Sequence, residues 1–196
     1  MARVLTFLIL LAVARSSAAA ANVEAIEDGR SPNGQFEVVN VLVVKMDGTV
    51  PYNERHFEIR IKSGHTIISQ SREVFGAEGA TKVMWRPDSR FVAIAVKTSK
   101  FAIQTKVFFR EGHTLKKMEI PEYEPFDEDH ASFGSSDSTF REPYRWLKNG
   151  DLVLDITLGH HTKSEPPSLG YYATVHFSDN PPRASKKSRT KTIDRD

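Results

Sequence analysis

The sequence predicts an all-β chain made of three consecutive antiparallel sheet units, and three observations carry that expectation. A seven-residue turn element recurs in one register: Trp85-Arg86-Pro87-Asp88-Ser89-Arg90-Phe91, Trp146-Leu147-Lys148-Asn149-Gly150-Asp151-Leu152 and, without the Trp, Arg30-Ser31-Pro32-Asn33-Gly34-Gln35-Phe36. Each copy opens an apolar run of strand length. The copies lie 55 residues (Asn33 to Asp88) and 61 residues (Asp88 to Asn149) apart, intervals that suit sheet modules stacked side by side. Helices have little room, since only Ser71 to Ala80 could wind a turn or two, and Gly76 and Gly79 weaken that segment.

Residues 1–21 read as a secretory signal. They hold a basic start at Arg3, an apolar run from Val4 to Ala14 and small residues from Ser16 to Ala21, with cleavage expected near Ala20 or Ala21. The run is too short to cross a bilayer, which takes ~20 residues, and no later segment could span one. Residues 22–182 then form the repeat domain. In the first unit, Phe36 to Val44 is nearly continuous apolar sequence, as in a strand covered on both faces. Lys45-Met46-Asp47-Gly48 makes a turn. From His56 to Lys62 the pattern alternates, with Phe57, Ile59 and Ile61 on one face and His56, Glu58, Arg60 and Lys62 on the other, which predicts a half-exposed strand. Gly64-His65-Thr66 turns into a third strand at Ile67-Ile68.

The second unit repeats that order. Phe91 to Val96 and Ile103 to Phe109 are strands, and Gly112-His113-Thr114-Leu115 repeats the second turn because Gly suits a left-handed position and Thr the strand after it. In the third unit Leu152, Leu154, Ile156 and Leu158 share a face, and Tyr171, Ala173, Val175 and Phe177 alternate after a Pro166-Pro167 loop. This unit is expected to stop at Ser178 without a third strand. Residues 183–196 carry six basic and two acidic side chains with almost nothing apolar, and read as a loose basic tail.

The stretch from Trp85 to Ala95 resembles the Trp-Ser-Pro-Asp-Gly turn and strand of TolB-type β-propeller blades, with Ser89 in place of the Gly and Arg86 in place of the Ser. That resemblance spans three blade-like units, nearly the whole domain, and implies propeller-like sheets that serve as a scaffold for binding surfaces. It brings no catalytic residue. Closed propellers use four to eight blades, so three units leave edges or faces to be covered by long loops, by curling into a sandwich, or by a second subunit in a homo-oligomer.

Composition narrows the function. Cysteine is absent, which excludes disulfides, thiolate metal sites and a lipid-anchoring cysteine, and fits a periplasmic or secreted protein whose single core is large enough without staples. Once Arg3 and Arg15 leave with the signal, 25 basic residues balance 25 acidic ones, with +4 on the tail and −4 on the body. No basic fold surface for nucleic acid results. Solubility is the tail's simplest role, and attachment to an anionic envelope surface the sharper one.

No residue is assigned as catalytic, cofactor-binding or metal-binding, and no cofactor is expected. Seven histidines (His56, His65, His113, His130, His160, His161, His176) invite a metal, but the adjacent His160 and His161 would point to opposite faces of a strand, and no ligand spacing of a recognised kind occurs. Six acids from Glu119 to Asp129 lack the spacing of a calcium loop. The connection from Pro121 to Pro143, which shows no strand pattern, is the first place to seek a partner surface. Ser135, Ser136 and Ser138 follow Gly134 without a nucleophile elbow. Asp151 and Asp155 are a carboxylate pair of unknown separation. Trp85 and Trp146, in matched register, are packing elements between sheets rather than a ligand platform. The expectation is therefore an exported, non-enzymatic β-repeat module that binds an envelope protein or polymer. Its alternative is a metal-assisted hydrolase drawing on His160 or His161, His176 and the acidic loop.

Overall fold

The computed structural model describes residues 21–61, 67–70, 79–112, 114–123, 138–159, 169–179 and 182–191, and these are all-β, with no helix among them. The expected signal up to residue 20, the 71–78 stretch and residues 192–196 lie outside the described residues. The strands run in chain order as β1 (Ala21–Arg30), β2 (Phe36–Asp47), β3 (Val50–Ile61), β4 (Ile67–Gln70), β5 (Ala80–Trp85), β6 (Phe91–Ser99), β7 (Ala102–Glu111), β8 (Thr114–Met118), β9 (Ser138–Trp146), β10 (Leu152–Gly159), β11 (Leu169–Asp179) and β12 (Pro182–Lys191). They fall into three groups of four, each an antiparallel meander whose first two strands are joined by one copy of the seven-residue turn.

Group one is a sheet of its own, in the order β1-β2-β3-β4. Groups two and three are fused into one eight-stranded sheet by a short parallel contact, in which Ala102 and Ile103 of β7 face Thr139 and Phe140 of β9. Neither sheet closes on itself.

Two cores separate the groups. The middle strand β6 is buried from Phe91 to Val96 on both faces. Because successive side chains of a strand point opposite ways, Val92, Ile94 and Val96 pack with Phe36, Val38, Phe57 and Ile59 of group one. Phe91 and Ala93 pack instead with Leu152, Leu154, Ile156, Tyr171 and Val175 of group three. Each large side chain removed from water in this way stabilises the fold by roughly 1.5–3 kcal/mol.

Four expectations need correction. The strand from His56 is not half-exposed: His56 and Glu58 are buried, because Glu58 accepts from Arg60 (3.0 and 2.9 Å) and lies 3.2 Å from His56 Nε2, which gives the buried carboxylate its partners. The Pro121–Pro143 connection contains the start of β9, whose residues show no apolar alternation and which the backbone ladder to β10 holds in place. Group three does not stop at Ser178, and the expected loose tail is, as far as Lys191, strand β12, paired with β11 from Asp179–Pro182 to Tyr171–Lys191. An edge strand needs no buried face, so its Lys, Arg and Ser residues gave no periodic signal. Finally, among the described residues β2 and β3 continue past Val43 as a two-stranded arm, and Val44 is exposed rather than covered.

Candidate binding surface

The seven-residue turn is built alike in all three groups. At its fourth position an Asx side chain accepts from the backbone two residues on: Asn33 Oδ1 from the Gln35 amide (3.1 Å), Asp88 Oδ1 from the Arg90 amide (2.9 Å) and Asn149 Oδ1 from the Asp151 amide (3.2 Å). The fifth position is left-handed, with φ of 66° at Gly34, 60° at Ser89 and 85° at Gly150. Ser89 holds that conformation without being Gly, and its buried hydroxyl accepts the Asn33 amide at 3.1 Å, which ties the second turn to the first.

Both tryptophans span from one group to the one before it. The Trp85 indole N–H donates to the Gly29 carbonyl at 2.9 Å, and the Trp146 indole N–H to the Met84 carbonyl at 3.1 Å. Gly29 and Met84 are the residues immediately before the first turn position of their own groups. Trp85 also stacks on Phe36, with ring centroids 6.0 Å apart, and Trp146 packs on Phe91 at 6.2 Å. The two seams thus use the same donor, acceptor and aromatic partner. Gly29 is required by the close approach of its own sheet, since a Cβ there would meet the Val38 carbonyl oxygen at 2.5 Å.

Group three breaks the pattern at its outer end. The turn is closed by Ser31 N to Phe36 O and by Arg86 N to Phe91 O in groups one and two, but by Leu147 N to Asp151 O in group three. Asp151, rather than Leu152 as the gapless sequence register suggests, therefore occupies the place of Phe36 and Phe91. Leu152 turns inward to the core. Asp151 is fully buried and heavily partnered: Oδ1 lies 2.7 Å from His176 Nδ1, while Oδ2 accepts from Asn149 Nδ2 at 2.8 Å and from the Lys187 ammonium. Burial pushes its carboxyl up, but the hydrogen bonds from Lys187, His176 and Asn149, with the charge of Lys187, outweigh burial and hold it below the ordinary carboxylate value. His176 and Lys187 are about half exposed, at 51% and 46%.

Beside this cluster is a recess of about 180 Å³ lined by Tyr123, Lys186, Lys187, Ser188 and Arg189. Lys186 lies over the Tyr123 ring, 5.6 Å from its centroid, and the Tyr123 hydroxyl donates to the Thr174 carbonyl. Between Thr174 and Val175 the β11–β12 register shifts, so Lys187 is an extra residue in β12. Such a bulge re-aims side chains, which here lets adjacent lysines engage different partners.

Two further surfaces stand out. The β2–β3 arm exposes Val44, Met46, Val50 and Tyr52, by 46–64%. A groove of about 460 Å³ lies between β1 and β5, lined by Glu27, Asp28 and Arg30 on one side and by Thr81 to Trp85 on the other. Its rim is a bulge in β1, where the six residues from Ala25 to Arg30 face the three from Val39 to Glu37, and where Asp28 adopts φ 56°.

The residues weighed from sequence divide accordingly. Trp85 and Trp146 share matching surroundings at the seams. His56 is engaged by Glu58 and His176 by Asp151, while His56 Nδ1 has no partner among the described residues. Asp151 and Asp155 lie four positions apart along the strand, roughly 13 Å between their Cα atoms, which is wider than the ~5–9.5 Å of paired glycosidase carboxyls. Ser138 is buried in β9. His65, His113, His130, His160, His161, Ser135, Ser136 and the acids from Glu124 to Asp129 lie outside the described residues. Among the described residues no three His, Asp or Glu side chains gather as a metal site, and no helix is long and apolar enough to cross a membrane. Lys187 and Tyr123 escaped notice in the sequence, because the first was read as tail and the second as loop. No family model matches the chain, and neither does any curated protein or solved structure.

Proposed function

We propose that the chain is an exported, non-enzymatic β-repeat module, with sheets related to TolB-type propeller blades, that binds a protein or polymer of the cell envelope. The observation that carries this reading is the β2–β3 arm, which extends past its sheet and leaves Val44, Met46, Val50 and Tyr52 in water. Apolar side chains gathered on a projecting arm cost solvation free energy in isolation and recover it against a partner. The side chains best suited to chemistry, Asp151, His176, His56 and Glu58, are meanwhile engaged with one another as structural pairs.

A photo-crosslinker placed at Met46 or Tyr52, exposed and away from both cores, tests the reading in the native envelope. A discrete crosslinked partner at these positions, missing when the crosslinker is moved to exposed Gln35 at the opposite end of β2, is the expected result. Equal labelling from both places contradicts it. Elemental analysis addresses the hydrolase alternative: stoichiometric zinc or calcium retained through dialysis would favour the enzyme.

A further inference from the structure

One wall of the groove between β1 and β5 is made of backbone. Thr81, Lys82, Val83, Met84 and Trp85 all line it. Consecutive strand residues send their side chains alternately to opposite faces, so what these five share on the groove side is the edge of β5 itself. That edge has no strand beside it: among the described residues β5 ends the eight-stranded sheet and pairs only with β6.

The phase of the ladder fixes which groups face the groove. The Arg86 amide donates to the Phe91 carbonyl at 2.8 Å, which makes these two a bonded pair. Bonded and non-bonded pairs alternate in an antiparallel ladder, so Met84 and Lys82 bond to Ala93 and Ala95 of β6, while the N–H and C=O of Val83 and Trp85 point away from β6. At Ala80 the same edge is already in use. The Asn40 side chain donates to the Ala80 carbonyl at 3.0 Å and accepts from its amide at 2.8 Å, pairing there as one peptide unit of a neighbouring strand would.

Strand β1, which faces this edge, is built out of register for the role. Its bulge and the φ of 56° at Asp28 break the regular alternation of donors and acceptors that a ladder needs. The bulge forms the opposite wall instead, and the Trp85 indole, bonded to the Gly29 carbonyl, ties the two walls together. A space of about 460 Å³ is thereby kept between two strands, within the range of ordinary ligand clefts. Its lining carries both signs of charge, at Glu27 and Asp28 and at Arg30 and Lys82, which favours neither an anion nor a cation. What the β5 wall repeats at strand spacing is a donor and an acceptor, and an extended main chain supplies their complement.

We infer that the β1–β5 groove binds an extended peptide segment of a partner protein, which adds to the edge of β5 as a strand. This goes beyond the reading of the β2–β3 arm and stands without it, because the groove lies at the seam of groups one and two and offers backbone rather than apolar side chains.

The probe is a phage-displayed library of random heptapeptides selected against the purified chain, with the enriched peptides then synthesised. Each is N-methylated one residue at a time, and amide exchange at Val83 and Trp85 is followed by NMR with and without the unmodified peptide. N-methylation should weaken binding about tenfold at every second residue and little at those between, because only alternate amides of an added strand face β5. Binding should also slow exchange at the Val83 and Trp85 amides. Val83→Pro removes an outward N–H and spares the bonds to β6, and should weaken binding by a similar factor, with its urea midpoint read to confirm folding. No enriched peptide, methylation losses without a period of two, or unchanged exchange at both amides overturns the inference. Should Val83→Pro fail to fold, the methylation pattern and the exchange decide alone. A crosslink from the arm without such a peptide overturns this inference only, and peptide addition at β5 with equal labelling from Met46 and Gln35 overturns only the arm reading.

Discussion

The two seams and the outer end of group three begin from the same backbone turn and finish in opposite chemistry. At each seam an indole reaches back to the carbonyl before the preceding group's turn and rests on that group's Phe, and both cores close around these contacts. At the outer end the turn is one residue tighter, and Asp151 stands where the Phe would be. Shortening by one residue flips the strand's phase, so a single change converts an apolar receiving face into a charged one. The other end of the chain mirrors this, because Arg30 holds the first turn position that Trp85 and Trp146 hold elsewhere. The positions that join the groups elsewhere thus carry charged side chains at Arg30 in group one and Asp151 in group three.

This contrast can be broken in graded ways. The largest effect is expected for Trp85→Ala, which deletes the indole hydrogen bond, the Phe36 stack and a side chain only 8% exposed, at a cost of about 3–5 kcal/mol in urea unfolding. Trp146→Ala should follow at about 3 kcal/mol, since Trp146 is only partly buried. Equal stability of either variant and the parent would remove the seams from the account.

Asp151→Asn comes next, with an expected loss of roughly 1–3 kcal/mol at neutral pH because Lys187 and His176 lose their charged acceptor. Since the folded carboxyl titrates below its ordinary value, its contribution is fully present above about pH 4 and fades as pH falls through the folded value. The gap between parent and variant should therefore narrow in acid, as stability measured against pH would reveal. A gap that widens on acidification would contradict the charged pairing.

Gly150→Ala should cost about 1–2 kcal/mol by calorimetry, because φ is 85° and the new Cβ would lie 3.2 Å from the Arg86 guanidinium. Smallest is Ser89→Gly, which relieves a left-handed Ser but discards its bond to the Asn33 amide; the two terms are each about 1 kcal/mol and nearly cancel. A clear gain would mean that the turn-to-turn bond contributes little.

Much of the fold was legible where apolar periodicity exists. The middle strands β2, β6, β10 and β11 announce themselves through Val, Ile, Leu and Phe at strand spacing, and the turn copies mark where each group begins. The strands that went unseen are β12 and the first strand of each group: β1, β9 and β12 bury little and are held by backbone pairing, which leaves no mark in side-chain pattern, and β5 buries only Ala80, Val83 and Trp85 over six residues. The charged end was hidden for a related reason. A gapless alignment of the turns matches Leu152 to Phe36 and Phe91, and only the backbone hydrogen bond from Leu147 to Asp151 reveals the missing residue. Lys187 could not be placed near Asp151 from a segment that reads as loose, although a basic run without acids was itself the available signal.

The most direct measurement is hydrogen exchange at the two indole N–H groups, which the chain's two tryptophans make separable, with Trp85→Phe assigning the signals. Both should be strongly protected, and Trp146 should keep its protection in the Trp85→Phe protein, because each bonds to a different carbonyl. Exchange of either indole at the rate of an exposed tryptophan would contradict the stapled seams on which the comparison stands.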